Sequence, residues 1–265
     1  MEASATTFST LLYDVDADGV ATVTINRPDQ LNALSRRVLG ELAAAFRQAR
    51  ADEGVVGVVV TGAGERAFAA GADIAEFAEM DAVEGYRLAL RGQALLASIE
   101  ALPKPVVAAV NGFALGGGCE LAMACHLRVA SEAAQFGLPE VGLGLIPGYG
   151  GTQRLPRLVG RGVATEMILT GERMPAERAL AVGLVNRVVP AAEVVEAAKV
   201  LVRTIASKAP IAVSMAMQAL RAADLPLPQG LQQEAALFGQ CCATEDFGEG
   251  VAAFLNRRKP EFTGR

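Results

Sequence analysis

Three segments of this 265-residue chain bring together residue types that can do chemistry. Gly116-Gly117-Gly118 leaves backbone N–H groups unobstructed at the start of a helical stretch. Such groups suit an anion, or an oxygen that gains negative charge during a reaction. Glu120 follows one turn on, with two readings open: a catalytic acid or base, or a carboxylate that complements the helix dipole. Glu140 stands among Leu138, Pro139 and Val141, an apolar setting that disfavours an unpaired surface acid. Its alternative reading is a solvated loop carboxylate. Ala67-Phe-Ala-Ala-Gly71-Ala72-Asp73 carries another run of small residues up to a helix start. The chemistry this permits is proton transfer by two carboxylates beside two backbone donors.

Other chemistries lack their residues. His126 is the single histidine, which excludes a zinc site of several imidazoles or a triad with spare histidines. It reads as a helix C-terminal or satisfied core residue. Gly62-Ala-Gly64-Glu-Arg-Ala67 has the form of a dinucleotide fingerprint with Glu84 further on, but a loop follows it where a helix should start. Gly142 to Thr152 is glycine-rich without the Gly-Lys-Thr ending of a phosphate-cradling loop. No serine occupies a G-x-S-x-G elbow, and Cys119 reads as a small packing residue. Cys241-Cys242 has no metal-ligand spacing, so no metal is expected.

Composition narrows the partners. Hydrophobic residues make up 52% and charged residues 20%, enough apolar material for a sizeable core and too much for a disordered chain. Lys and Arg total 24 against 29 Asp and Glu, a net charge of -5, so there is no positive field to attract nucleic acid. Four cysteines are too few for a disulfide framework and suit a reducing compartment. Residues 1–18 contain no Lys or Arg, unlike a signal or transit peptide. No apolar run reaches the ~18 residues of a membrane span. A cytoplasmic protein with no membrane partner is expected.

The elements that must position these residues follow from periodicity and punctuation. Val20 to Ile25 alternates as a half-buried strand, and Arg27-Pro28-Asp29 turns the chain. Ser35 caps a helix with Val38, Leu39, Leu42, Ala45 and Phe46 on one face. Val55 to Thr61 and Val106 to Val110 read as buried strands. Between them lie a glycine-rich loop to Gly71, a helix start near Asp73 and a longer helix over about Val83 to Leu102. Gly116 to Glu120 opens another helix, and Leu127 to Ala130 returns as a strand. This recurrence implies stacked β and α layers with loops gathered on one side. Beyond Pro175 the pattern turns helical, with one further strand in Gly183 to Val189. A helical part begins near residue 191, with more apolar positions than a small cap needs.

Three motifs, in order, carry a resemblance: Ala67-Phe-Ala-Ala-Gly-Ala-Asp-Ile-Ala-Glu76, Asn111-Gly-Phe-Ala-Leu-Gly-Gly-Gly-Cys-Glu-Leu121 and Phe136-Gly-Leu-Pro-Glu-Val-Gly-Leu-Gly-Leu-Ile-Pro-Gly-Tyr-Gly-Gly-Thr-Gln-Arg-Leu155. The chain resembles the enoyl-CoA hydratase (crotonase) family from Val20 to Arg257-Arg-Lys-Pro260. The resemblance implies an α/β fold, a crotonase-like spiral of repeated ββα units over 1–190 with a C-terminal helical trimerisation region over 191–265. It also implies assembly as a homotrimer or a dimer of trimers, an acyl-CoA substrate, and no cofactor beyond the coenzyme A that belongs to that substrate.

In the family the amides at the positions of Ala72 and Gly117 bind the thioester oxygen, and acids matching Glu120 and Glu140 handle water and proton. Isomerases of the same fold typically keep only the acid matching Glu140, so hydration is the expected activity. Isomerisation, another crotonase-type reaction on an acyl-CoA, and acyl-CoA binding without turnover are the alternatives. Substrate and CoA contacts are implied at Gln30, Leu31, Ala70, Asp73, Ile74, Ala75, Gly116, Pro139, Gly148 and Arg257. The sequence departs from the family pattern at Asp29 and Ala75, where hydratases often carry lysine near the CoA nucleotide. Leu138 stands where some have glutamine, which leaves Glu140 one side-chain partner fewer.

Overall fold

A computed structural model describes residues 8–78 and 80–265. Of the stretch 1–18 read for a targeting signal, residues 1–7 lie outside them. The strands are β1 Leu11–Val15, β2 Val20–Ile25, β3 Gly57–Gly62, β4 Ala67–Ala70, β5 Val106–Val110, β6 Phe113–Leu115, β7 Leu127–Ser131, β8 Gln135–Gly137, β9 Met174–Pro175 and β10 Arg187–Val189. Between them run α1 Arg36–Ala51, α2 Ala82–Glu100, α3 Gly117–Ala124, α4 Gly151–Val159, α5 Arg161–Thr170 and α6 Ala176–Ala181, and α7 Val194–Ala206 follows.

The larger sheet has the order β1-β2-β3-β5-β7-β10 and is parallel except for the β1–β2 pair. Its central strands are buried on both faces, which is why Val58 to Val60 and Val106 to Val110 read as continuous apolar runs. Alternate residues serve two cores. Val58, Val60, Val106, Ala108 and Val110 join the cluster that includes Leu42, Phe46 and Leu96 from α1 and α2. Val59, Val107 and Ala109 face Val194, Ala198 and Val202 of α7. The first compact unit accordingly runs to Val202, beyond the boundary at residue 190 read from composition. The remainder, from Arg203, is a helical unit with α8 Pro210–Arg221, α9 Leu227–Cys242 and α10 Glu245–Leu255.

The smaller sheet, β4-β6-β8-β9, is the one that carries the candidate site. Its first three strands are parallel. The 62–71 segment read as a loop therefore contains a strand, β4, paired in register Ala70↔Leu115 with β6, which pairs Leu115↔Gly137 with β8. A register shift between Ala67 and Ala69 puts a bulge at the start of β4. Fully buried Asn32 holds that start, its Nδ2 donating to the Ala63 and Ala67 carbonyls at 3.0 and 2.7 Å. The helix expected near Asp73 is a single 3-10 turn, Ile74–Phe77, ahead of α2. Ser35 caps α1 as expected, accepting from the Val38 amide.

Candidate active site

Three chain segments leave the smaller sheet at the carboxyl ends of adjacent parallel strands, where open α/β sheets gather their ligand sites. After β4 come Gly71 and Ala72; after β6, Gly116 and Gly117; after β8, Leu138 to Glu140. Adjacency in the sheet thus brings together motifs that are far apart in sequence.

Each backbone donor is left without a partner by its local geometry. Leu34 bridges Ala72 in parallel, taking the Gly71 carbonyl at 2.8 Å and giving its own carbonyl to Asp73. In such a bridge the Ala72 amide points away from Leu34, towards the side on which β4 meets β6. Gly117 is the first residue of α3, where an amide has no intrahelical acceptor. Neither amide donates to another group among the described residues. Gly116 makes the turn between β6 and α3 at φ 50, ψ -125, a conformation open only to glycine. A Cβ there would also stand 2.9 Å from Glu140 Oε1 and 3.5 Å from Gly71 Cα, so the three segments meet at this residue.

Glu120 is 1% exposed. Its Oε1 accepts from the Tyr149 amide at 2.8 Å and the Gly151 amide at 2.7 Å. Gly151 begins α4, so the carboxylate is held by that helix N-terminus rather than by the start of its own helix. Burial pushes its pKa up, and the amides and Arg154 oppose that shift without cancelling it. Arg154 clamps the loop that supplies these amides, donating to the Tyr149 carbonyl at 2.7 Å and to both Glu100 oxygens at 2.7 and 2.8 Å. Arg128, 5% exposed, secures the other end of α3 by donating to the Cys125 carbonyl at 2.7 Å and the Ala122 carbonyl at 3.3 Å.

Glu140 lies in the one-turn helix Pro139–Leu143 beside fully buried Leu138. Its Oε2 is buried with no hydrogen-bond partner among the described residues. Burial first, then the Glu120 charge, pushes its pKa up to about 7, with its own backbone amide opposing. The Leu138 side chain offers Glu140 no hydrogen bond.

The folded state therefore retains a proton on Glu140 that the unfolded chain has already released above pH 4.5. Stability attributable to this group falls as pH rises from about 4.5 through about 7 and levels off above. Glu140→Gln mimics the neutral acid, so it should melt above the wild type at pH 8 and alongside it at pH 5. Equal melting temperatures at both pH values would count against a buried, unpartnered carboxyl.

The remaining candidates are distributed unevenly. Ala70 ends β4 and donates to the Leu31 carbonyl at 3.0 Å; Leu31 is left-handed at φ 50, and Gln30 is exposed in the turn before it. The Asp73 carboxylate pairs with Arg27 at 3.0 Å, which braces the Ala72 segment. Ile74, 52% exposed, and Ala75 belong to the 3-10 turn that follows. Pro139 is exposed beside Glu140, and the Gly148 carbonyl accepts from Gln93 Nε2 at 2.9 Å. Arg257 lies in the helical unit, at φ 53 just after α10. His126 is structural, its Nδ1 accepting from the Val106 amide at 3.0 Å.

Sequence reasoning missed Tyr149, Gly151 and Arg154. The signal in the sequence is the glycine-rich run before α4, and the anion it serves is the Glu120 carboxylate rather than a phosphate.

The site thus sets two carboxyls, one cradled by amides and one without a partner, close to two backbone amides without partners, an arrangement that suits addition of water next to a carbonyl. Among the described residues no group of three His, Cys, Asp or Glu side chains is placed to hold a metal ion.

The family described as "Enoyl-CoA hydratase/isomerase" matches residues 16–265. The short-chain-enoyl-CoA hydratase of Clostridium acetobutylicum is 48% identical over 243 residues, covering 91% of this chain and 93% of that protein. The crotonyl-CoA hydratase of Syntrophomonas wolfei is 44% identical over 247 residues, covering 93% and 95%. The crystal structure of an enoyl-CoA hydratase from Bacillus anthracis superposes with a TM-score of 0.93 at 41% identity, over 97% of this chain and 100% of that one.

Proposed function

Because the chain belongs to the enoyl-CoA hydratase/isomerase family, we propose that it adds water reversibly across the 2,3 double bond of a 2-enoyl-CoA thioester. The product is the 3-hydroxyacyl-CoA, and the enzyme is a hydro-lyase on the crotonase-type α/β fold. The observation that carries this reading is the pair of enclosed carboxyls, one held by two amides and the other unpartnered, beside two vacant amides. Isomerisation needs one acid; the Glu120 cradle supplies a second.

In the proposed mechanism the thioester oxygen sits on the Ala72 and Gly117 amides. Glu120, ionised, takes a proton from water as its oxygen attacks C3. The electron pair of the double bond moves to the carbonyl oxygen as an enolate, which the amides stabilise more than the ground state. Glu140, neutral, gives its proton to C2 as the carbonyl reforms. One proton has entered the substrate and one has left the water, so solvent exchange resets the two acids. The step is redox-neutral and asks for no cofactor besides the CoA moiety of the substrate.

The test is loss of the conjugated-thioester absorbance of crotonyl-CoA. Rapid loss is expected, and a wild type that binds the compound without turning it over overturns the reading.

Assembly as a homotrimer or a dimer of trimers is part of the same proposal. The helical unit exposes Leu220 (73%), Leu227 (72%), Phe238 (70%) and Phe254 (84%) to solvent, apolar surface that a monomer would leave in water. Light scattering during size exclusion should give three or six times the chain mass, and a monomer at micromolar concentration would refute it. A reducing, cytoplasmic setting fits the free thiols of Cys119 and Cys125, both buried. No single helix among the described residues is long and apolar enough to cross a membrane.

A further inference from the structure

The loop that supplies the amides for Glu120 also supplies one large side chain, and its backbone leaves that side chain little choice. The Gly148 carbonyl is held by Gln93, the Tyr149 amide by Glu120, and the Tyr149 carbonyl by Arg154. The Tyr149 ring, 6% exposed, then enters a slot on α2 at Gly92, where any Cβ would overlap the ring carbons. Its opposite edge lies 3.2 and 3.3 Å from where a Cβ on Gly117 would stand. A single aromatic side chain therefore spans the gap between α2 and the residue proposed to hold the thioester oxygen.

We propose that the Tyr149 ring closes the acyl end of the site and restricts the enzyme to short 2-enoyl chains. This rests on the hydratase reading above. A substrate with its carbonyl oxygen on the Ala72 and Gly117 amides and C3 facing both glutamates has its first carbons beside the ring edge. Further methylenes must displace a ring packed on two glycines and anchored through three backbone contacts. The Tyr149 phenol also lies within electrostatic reach of charged groups. Burial first, then Glu120 and Glu76, pushes its pKa up to about 12, and Arg36 and Arg91 act against them. Arg36 and Glu76 pair at 3.8 Å. An apolar tail sent past the ring would strip water from these groups without replacing its hydrogen bonds.

The experiment compares kcat/KM for 2-enoyl-CoA thioesters of four, six, eight and ten carbons in wild type, Tyr149→Ala and Tyr149→Phe. The wild type should fall by at least about tenfold from four to ten carbons, a modest sum for displaced packing. Tyr149→Ala should raise the ten-to-four ratio by at least about tenfold, whatever happens to the absolute rates. Tyr149→Phe should keep the wild-type ratio, because the ring and not the hydroxyl is the barrier. A flat wild-type profile overturns the proposal, and so does a Tyr149→Ala that slows all lengths by one factor. If Tyr149→Ala does not fold by circular dichroism, Tyr149→Leu, which fills the slot but is shorter, should move the ratio the same way. An unchanged ratio in Tyr149→Leu is equally fatal. Failure of the hydratase reading is a separate result, namely a wild type inert on every one of these thioesters.

Discussion

Glu120→Gln and Glu140→Gln should each lower kcat/KM for crotonyl-CoA by about 10²–10⁴, the range of a lost general base or acid. Both replacements keep the volume of a side chain packed into a tight site, so binding of a saturated acyl-CoA should change little. Their pH dependence separates the two roles. In the proposed mechanism, activity requires Glu120 ionised and Glu140 protonated. It therefore falls at low pH as Glu120, raised by burial, takes a proton. At the other end it falls as pH rises through the region of about 7 in which Glu140 loses its proton. The two apparent values belong to the coupled pair, so the diagnostic is which limb each variant loses. Glu140→Gln should abolish the alkaline limb of what activity remains, and Glu120→Gln the acidic one. A full-speed variant, or a Glu140→Gln that keeps the alkaline limb, would remove that residue from the reaction.

How much of this site could be read in advance follows from the length of each element. β5 is five apolar residues in a row and β3 carries three consecutive valines, and α1 shows Ser35 and a full buried face, so their patterns are long enough to recognise. β6 and β8 are three residues each and β4 is four, broken by a bulge, too short for any alternation to register. Yet those strands decide that Ala72, Gly117 and Glu140 emerge side by side. Motif order and resemblance could name the residues, whereas their convergence depends on non-local strand pairing that a local pattern does not encode.

Glu120 marks a second limit. The sequence invites pairing it with the dipole of its own helix, and the actual partners are amides of a loop about thirty residues downstream. Arg154, which fixes that loop, carries no local signal at all, because its value lies in reaching Glu100 and the Tyr149 carbonyl at once.

The oxyanion site permits a sharper test than side-chain removal, because one of its two donors sits where proline is tolerated. Gly117 is the first residue of α3, a position whose amide has no intrahelical acceptor and whose φ suits a pyrrolidine ring. Gly117→Pro deletes the donor, places its ring Cδ where the N–H pointed, and leaves the helix its own hydrogen bonds. Gly117→Ala is the matched control, since it adds the same Cβ and retains the N–H. That Cβ meets Tyr149 ring carbons at 3.2 and 3.3 Å and Leu34 Cδ1 at 3.4 Å, so both variants ask these neighbours to move by a few tenths of an ångström, and proline adds Cγ and Cδ. Subtracting alanine from proline removes the share of the packing cost that belongs to Cβ. The remaining loss in kcat on crotonyl-CoA should be about 10²–10³, equivalent to roughly 2.7–4 kcal/mol of enolate stabilisation. The lost donor lowers kcat, because the amide gains most as charge develops on the oxygen, and the Cδ in its place also raises KM. Thermal melts of the two variants should coincide within a few degrees. Proline and alanine variants of equal activity would show that the Gly117 amide does not hold the developing oxyanion. The charge would then fall to the Ala72 amide alone, and a single donor leaves little basis for proton delivery from Glu140 to a stabilised enolate.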